Sequence, residues 1–461
     1  MSTDAMTTPT SKPTNTPTNT PTSTPTSMPM TKALLPESEL PTAWYNIVAD
    51  LPEPMPPHLH PGTKEPITAA DLTAIFPPAL AEQELSTQRY IDIPDEVRRI
   101  YAIWRPTPLI RAYRLEQALG TTARLYYKYE GVSPIGSHKA NSSVAQAYFN
   151  HIAGVKRLTT ETGAGQWGSA LAFACAAFGM GCEVWQVRAS YDSKPYRRML
   201  METFGATVHS SPSELTRAGK AMREQFPDTS GSLGMAVSEA IEAAVTDPEN
   251  ARYALGSVLN HVVLHQSVIG EETLKQLAMF GEDQADYVFG CAGGGSNVAG
   301  LSFPLVRENL AGRTNSKIYA VEPSACPSIT QGRYEYDHGD VAKMTPLMKM
   351  FTLGTDFVPP PVHAGGLRYH GMSPMLSHVI RLGLIEGLAV GQNEAFEAGV
   401  LFARTEGLVP APESGHAVAA ALAEARRRTT AADACSIVIG MSGHGQLDLP
   451  AYQEYLAGTM A

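Results

Sequence analysis

The sequence predicts an α/β fold, with two domains in three layers built around mostly parallel sheets. Three observations carry this. From Pro106 onward, short strand-like runs alternate with longer helix-like runs, the pattern of helices laid over a parallel sheet. At 461 residues the chain is too long for one compact core. Its 43% apolar and 17% charged residues are close to ordinary globular composition and allow a large interior.

The elements follow in order. RLYYKY, residues 124–129, is rich in aromatics that suit a pleated surface and reads as a strand. Residues 142–152 read as a helix stopped by Gly154, 157–161 (RLTTE) as a strand and 167–178 as a helix. Residues 183–187 are a strand, followed by a helix over 194–204 that ends at Gly205. YVFGC, 287–291, is a strand entering a glycine loop, with a helix from Asn297. A strand over 317–321 (KIYAV), helices over 394–405 and 416–427, and a late strand over 436–440 (SIVIG) complete the series. No internal repeat is evident.

Upstream the composition changes. Residues 7–30 are almost wholly Thr, Pro, Ser and Asn, with proline at every fourth position from Pro9 to Pro29. Such a segment has no apolar surface to offset its ordering entropy, so residues 1–32 are expected to be a disordered tail. Residues 33–105 are proline-rich but carry Trp44, Tyr45, Ile47 and Leu51, and are expected to be an extended arm packed on the body. The body is expected to divide into α/β domains over 106–265 and 266–461.

A net charge of −10 without a Lys/Arg cluster argues against nucleic acid and anionic membrane as partners. The five cysteines, Cys175, Cys182, Cys291, Cys326 and Cys435, form no C-x-x-C pair, so neither a disulfide framework nor a zinc site is expected. Reduced thiols and a cytoplasmic location are the expectation. The N-terminus lacks the apolar stretch of a secretory signal. The most apolar run, LAFACAAFGMGCEVW, is broken by Gly179, Gly181 and Glu183, and reads as a buried helix turning into a strand rather than a membrane span.

Four stretches carry candidate chemistry. GSHKANSS, 136–143, places Lys139 where a strand gives way to a helix. It is either a surface lysine or an amine nucleophile. The helix dipole disfavours a cation at that end, and a lysine converted to a neutral imine by an aldehyde cofactor escapes the conflict. CAGGGSN, 291–297, runs from a strand through three glycines into a helix, so bare backbone brings several N–H groups onto one anion; a tight turn is the plain alternative. It is neither G-x-G-x-x-G nor a Walker sequence, so a nucleotide is not the obvious ligand. In ETGAGQWG, 161–168, Thr162, Gly163, Ala164, Gly165 and Gln166 offer N–H groups to a carboxylate, and Glu161 is placed for proton transfer; a loop with a capping threonine is the alternative. GLVPAPESGHA (407–417) and IVIGMSGHG (437–445) set Glu413 and Ser442 at the ends of apolar runs, to hydrogen-bond a ligand ring, or leave Ser414 as a helix cap and Ser442 as a turn residue. An amine, a phosphate cradle, a carboxylate cradle and a neutral hydroxyl together are the needs of one cofactor, pyridoxal 5'-phosphate, acting on an amino acid.

In this order the motifs resemble those of the tryptophan synthase β chains, within the fold-type II pyridoxal-phosphate enzymes. The resemblance runs over roughly residues 100–450. GSHKAN resembles the family's lysine motif, GGGSN its phosphate loop, and ETGAGQWG its E-T-G-A-G-Q-H-G, with Trp167 in the place of histidine. The arm containing WYNI and DLPEPMPPHLHP resembles the family's divergent second branch. The resemblance implies a lyase-class β-replacement that makes L-tryptophan from indole and L-serine, or O-phospho-L-serine, through an aminoacrylate intermediate. Lys139 would hold the cofactor and shuttle the α-proton. His138, Gly293, Gly294, Gly295, Ser296 and Asn297 would bind its phosphate. Ser442 would face the pyridine nitrogen and leave it unprotonated, and Glu413 would lie near the ring. Thr162 to Gln166 would bind the substrate carboxylate. Glu161 would assist loss of the β-substituent and then take the indole N–H proton. A homodimer is implied, as is a monovalent cation, K⁺ or Na⁺, at the backbone carbonyls of Gly293, Tyr369 and Gly371.

Two departures from the common branch stand out. Its A-G-L-D-Y is here AGGLRYHG, with Arg368 in the aspartate's place, and its S-G-R-G-D is SGHGQ, with His444 replacing arginine. A guanidinium matches phosphate geometry, which points Arg368 toward O-phosphoserine as substrate; a salt-bridged surface arginine is the alternative. The common branch pairs with an α chain, whereas the arm and altered lid point here to a stand-alone enzyme taking free indole. Competing readings on the same scaffold are serine or threonine deamination, threonine synthesis and β-replacement with another nucleophile. A non-catalytic partner that kept the fold is a reading of another class. Glu161 favours indole chemistry, and the intact Lys139 and glycine loop favour an enzyme.

Overall fold

A computed structural model describes residues 1, 29–193, 195–360 and 362–460. The chain divides into residues 1–30 and 31–461. The expected tail lies almost wholly outside the described residues. Lys32, its last residue, already pairs with Ile110 in a strand.

Among the described residues, 31–461 contain two large sheets beside two two-stranded ones. The larger has seven strands in the order Lys32–Ala33, Leu109–Arg111, Arg124–Tyr129, Ser436–Met441, Tyr287–Cys291, Lys317–Pro323 and Glu386–Val390. Leu109–Arg111 runs against both its neighbours, and the remaining pairings are parallel. The smaller is wholly parallel, in the order Thr207–Ser211, Gly181–Val187, Arg157–Thr162 and Ala251–Tyr253. The sheets do not follow a division at 265/266, because Arg124–Tyr129 pairs with the late strand Ser436–Met441.

Helices cover both faces of the large sheet, as strand alternation requires. Val288 and Val438 pack with Val298 and Leu301 of helix Ser296–Leu310. Their neighbours Phe289, Ile437 and Ile439 pack instead with Ala417, Val418 and Leu422 of helix Pro412–Ala425. This is why IVIG, 437–440, is apolar throughout: both sides are interior.

The arm is anchored rather than merely laid on. Trp44, Tyr45 and Ile47 are buried, while Leu51 is half-buried. Trp44 packs on the His265 ring with centroids 4.5 Å apart, and the Tyr45 N–H donates to Ser267 Oγ at 2.9 Å. It is not extended throughout, since Pro78–Glu84 and Asp95–Tyr101 are helical. Glu84 ties it down by accepting from His58 Nε2 (3.1 Å), His261 Nδ1 (2.7 Å) and the His261 N–H (3.0 Å). Burial pushes that carboxyl up, but the two histidines outweigh it and bring Glu84 to about 2.

The strands read from the sequence are all present, several longer by one or two residues. Short edge strands such as Ala251–Tyr253 and the antiparallel hairpin Arg333–His338/Leu347–Thr352 were not legible, because three residues or a polar alternation such as RYEYDH carry little period. The helix expected from Ser142 begins at Lys139, three residues earlier. Its first turn has no side-chain cap and is held by tertiary contacts instead. Asn141 accepts from Arg105 (2.9 Å) and donates to Glu130 (3.2 Å) and Gln266 (3.0 Å).

Candidate active site

The site loops leave the carboxyl ends of parallel strands, the usual place for ligands in such sheets. Glu161 and Thr162 end one strand, Cys291 another, and Ser442 follows Met441 directly. One pocket gathers His138, Lys139, Gln166, the glycine loop from Gly293 to Asn297, Glu413 and Ser442. It also includes Cys291, Ser257, Gly366 and Leu367. Of these Cys291 stood in the glycine-loop motif and Gly366 and Leu367 in the AGGLRYHG run, whereas Ser257 comes from a loop with no signature of its own.

Lys139 is the first residue of its helix, and Nζ contacts the Gly256 carbonyl at 3.4 Å. Burial lowers its pKa, more strongly than the charges of Glu413, Cys291 and Glu161 raise it. A neutral amine is a nucleophile, and it avoids the cation-at-N-terminus conflict. His138 links two site loops, with Nδ1 3.3 Å from the Ser442 carbonyl and Nε2 3.3 Å from Ser296 Oγ. Burial, with Lys139 adjacent, takes the ring to about 3, so it is neutral at physiological pH.

The glycine loop and the Thr162–Gln166 loop are structural twins. Each passes through a left-handed glycine, Gly165 at φ 95° and Gly295 at φ 97°, that immediately precedes a helix. Only glycine adopts that conformation without strain. Among the described residues none accepts a hydrogen bond from the N–H groups of Gly293 to Asn297, which stand at the start of a 15-residue helix. Side chains at Gly293 and Gly294 would collide with Gly366 and Ser257, so the loop is bare where an anion approaches. These features fit a phosphate. Gly295→Ala adds backbone strain and a contact with Leu376. It is expected to weaken pyridoxal-phosphate binding at least about tenfold. Titration of the variant with the cofactor checks this, and unchanged affinity would remove the loop from the site.

Ser442 Oγ pairs with Ser414 Oγ at 2.7 Å and accepts from Cys291 Sγ at 3.5 Å. Ser414 is not a cap, because its helix begins at Pro412. Neutral groups thus line this end of the pocket; burial pushes the Cys291 thiol up to about 11. Glu413 accepts from Gln166 Nε2 (3.2 Å) and from the Gly366 N–H (2.8 Å), clamping the carboxylate loop to the 365–367 turn. Gly163 and Gly165 lie in that loop, and Gly365 packs on Ala164. Trp167, in the histidine's place, donates to Thr160 Oγ1 at 2.6 Å and packs against Gly256, whose carbonyl meets Lys139.

Glu161 is buried, and Tyr253 Oη donates to its Oε2 at 2.5 Å. Burial raises the carboxyl to about 8, against the opposing pull of Tyr253 and Lys139. An apolar chamber lies alongside, walled by Leu72 and Phe76 of the arm with Leu233, Val237, Tyr253 and Met348. Ser257 lines both chamber and lysine pocket.

Arg368 is not in the lysine pocket. It lines a small neighbouring pocket with Gly163, Ser190, Ser232 and Pro359. Its NH2 donates to the Pro359 carbonyl at 3.0 Å, and its buried Nε meets no acceptor among the described residues. His444 packs against Gly136. Of the carbonyls expected to hold a monovalent cation, that of Tyr369 accepts from the Cys326 thiol at 3.1 Å, and Gly293 borders the lysine pocket.

Residues 100–443 match the family model described as pyridoxal-phosphate dependent enzyme. The chain is similar to tryptophan synthase beta chain 2 of Methanosarcina acetivorans, with 53% identity over 430 residues, 93% of this chain and 97% of the relative. It is similar to the protein of the same name from Aquifex aeolicus, with 55% identity over 434 residues, 94% of this chain and all of that one. Among solved structures, a fungal L-serine ammonia-lyase from Rhizomucor miehei shares the fold, with a TM-score of 0.56 at 18% identity over 77% of this chain and 98% of that one.

Proposed function

Because the chain belongs to the pyridoxal-phosphate-dependent enzymes and, within them, to the tryptophan synthase β chains, we propose that it joins indole to the β-carbon of serine or a serine ester, giving L-tryptophan. The observation that carries this is one pocket holding Lys139, a bare glycine loop and Ser442, beside an apolar chamber. When bound, pyridoxal phosphate supplies an electron sink that labilises the bonds at the amino acid's α- and β-carbons. His138 and the N–H groups of Gly293 to Asn297 would hold its phosphate, Lys139 Nζ its aldehyde carbon, and Ser442 Oγ its ring nitrogen. The loop from Thr162 to Gln166 binds the substrate carboxylate and so orients the α-hydrogen toward Lys139 Nζ, which takes it. Glu161 lends a proton to the departing β-substituent and takes one from the indole nitrogen; a carboxyl near 8 serves both directions at neutral pH. The chamber excludes water and takes an apolar bicyclic acceptor. A homodimer using free indole in the cytoplasm completes the proposal; five buried, unpaired cysteines agree with that compartment.

Arg368 favours O-phospho-L-serine as donor. Its guanidinium is half-buried beside the carboxylate loop and has no carboxylate partner among the described residues, an arrangement that suits a dianion. The test supplies indole with either donor and quantifies tryptophan and pyruvate. Arg368→Asp is expected to cut the phosphoserine-to-serine ratio of kcat/KM by about 10- to 100-fold, the loss of a charge-assisted hydrogen bond. An unchanged ratio rejects the role, and pyruvate without tryptophan from either donor rejects indole as the acceptor.

A further inference from the structure

We infer that Tyr253 is the positioning residue for Glu161: its phenol, in the wall of the apolar chamber, holds the carboxyl in place for proton transfer with the nitrogen of an acceptor lying in that chamber. The inference rests on Glu161 being the proton acceptor proposed above. Tyr253 forms part of the chamber wall, and its hydroxyl donates to Oε2 of Glu161. That phenol is itself fixed from several sides. The Tyr253 N–H donates to the Ile75 carbonyl at 3.1 Å. The Phe76 ring packs against it with centroids 6.2 Å apart. Tyr253 also closes strand Ala251–Tyr253, which pairs with the Glu161 strand through Thr159. The arm thereby reaches the reacting carboxyl through one side chain. A carboxyl held by a fixed phenol donor has its rotation restricted, and that is what acid–base geometry needs.

The titratable groups facing Glu161 are Lys139 from helix Lys139–Ile152, Tyr253 from its strand, and Tyr369 from the segment after the 365–367 turn. Of these only Tyr253 bonds to the carboxyl side chain. A hydroxyl that donates to a carboxylate favours the anion, so removing it raises the carboxyl's pKa.

The experiment uses the holoenzyme with Tyr253→Phe, Glu161→Gln and the double variant. Tyr253→Phe is expected to lower kcat for tryptophan formation by about 10- to 100-fold, with the donor KM unchanged. The acid limb of the pH profile should move to higher pH. The infrared titration of the buried carboxyl, identified as the band lost in Glu161→Gln, should move the same way. In the Glu161→Gln background, Tyr253→Phe should add nothing further. A 3-fluorotyrosine at 253 keeps the shape but donates more strongly, and should move both midpoints down; it also serves if Tyr253→Phe folds poorly. Unmoved midpoints, or an equal loss in the Glu161→Gln background, would mean that Tyr253 only supports the fold and would overturn the inference. Full tryptophan formation by Glu161→Gln would overturn the underlying role of Glu161 and the inference with it.

Discussion

Lys139→Ala should retain less than about one thousandth of wild-type tryptophan formation while remaining folded. The amine sits at a helix start, where the dipole opposes a cation, and burial lowers its pKa further. Among the described residues its amine's one hydrogen bond is to the Gly256 carbonyl, a neutral acceptor. Nothing in the fold therefore depends on its charge, and the unfolding midpoint of the apoprotein should not fall. The visible absorbance of the cofactor should change, because its covalent anchor is gone. A small exogenous amine should restore part of the rate, since the pocket and the phosphate loop are untouched. A variant that keeps wild-type turnover would refute the assignment of Lys139 as the cofactor's anchor and proton carrier.

Glu272→Gln should cost about 3–5 kcal/mol of stability, the largest effect expected of a single polar change in this chain. Beneath the Lys139 helix lies a fully buried set of two cations and two anions, Arg105, Lys128, Glu130 and Glu272. Glu272 serves both cations, meeting Arg105 NH2 at 2.9 Å and Lys128 Nζ at 2.7 Å, and accepts from the Thr107 N–H at 3.0 Å. Burial pushes the Glu130 carboxyl up, but Arg105 and Lys128 outweigh it and bring it to about 2; burial lowers Lys128. Removing one anion leaves an uncompensated buried cation, which is why the cost exceeds that of any surface pair. Urea unfolding with an unchanged slope measures it. The paired replacement Lys128→Met with Glu272→Leu should be milder than Glu272→Gln alone, because it removes charge without stranding any. A loss below about 1 kcal/mol for Glu272→Gln would show that the set is wetter than its burial implies. Activity should fall as well, because Arg105 and Glu130 hold Asn141, two residues along from Lys139.

Much of this was legible beforehand because it is local. A strand such as SIVIG declares burial on both faces because Ser436 is followed by the unbroken apolar run IVIG, and YVFGC followed by glycines declares a strand ending in a bare loop. Lys139 was conspicuous because a cation opens a helix, and Gly293 to Asn297 because three consecutive glycines have few other uses. Tyr253 carried no such mark. Its strand has three residues, and its partner Glu161 lies 92 positions away. Ser257 and the chamber walls were equally silent, since an apolar residue lining a chamber looks the same in sequence as one filling a core.

The sequence by itself determined the element series, the glycine loops and the chemical kinds of group at the strand ends, because each depends on neighbours within a few residues. The tertiary structure decided which groups meet. Pairing Arg124–Tyr129 with Ser436–Met441 brings Lys139 and Ser442 to one pocket across about 300 residues of chain. It also decided their protonation. Lys139 is driven toward the neutral amine, and Glu161 toward a carboxyl near 8, by loss of water around them. That loss depends on everything packed nearby, including an arm that the motifs alone would leave out.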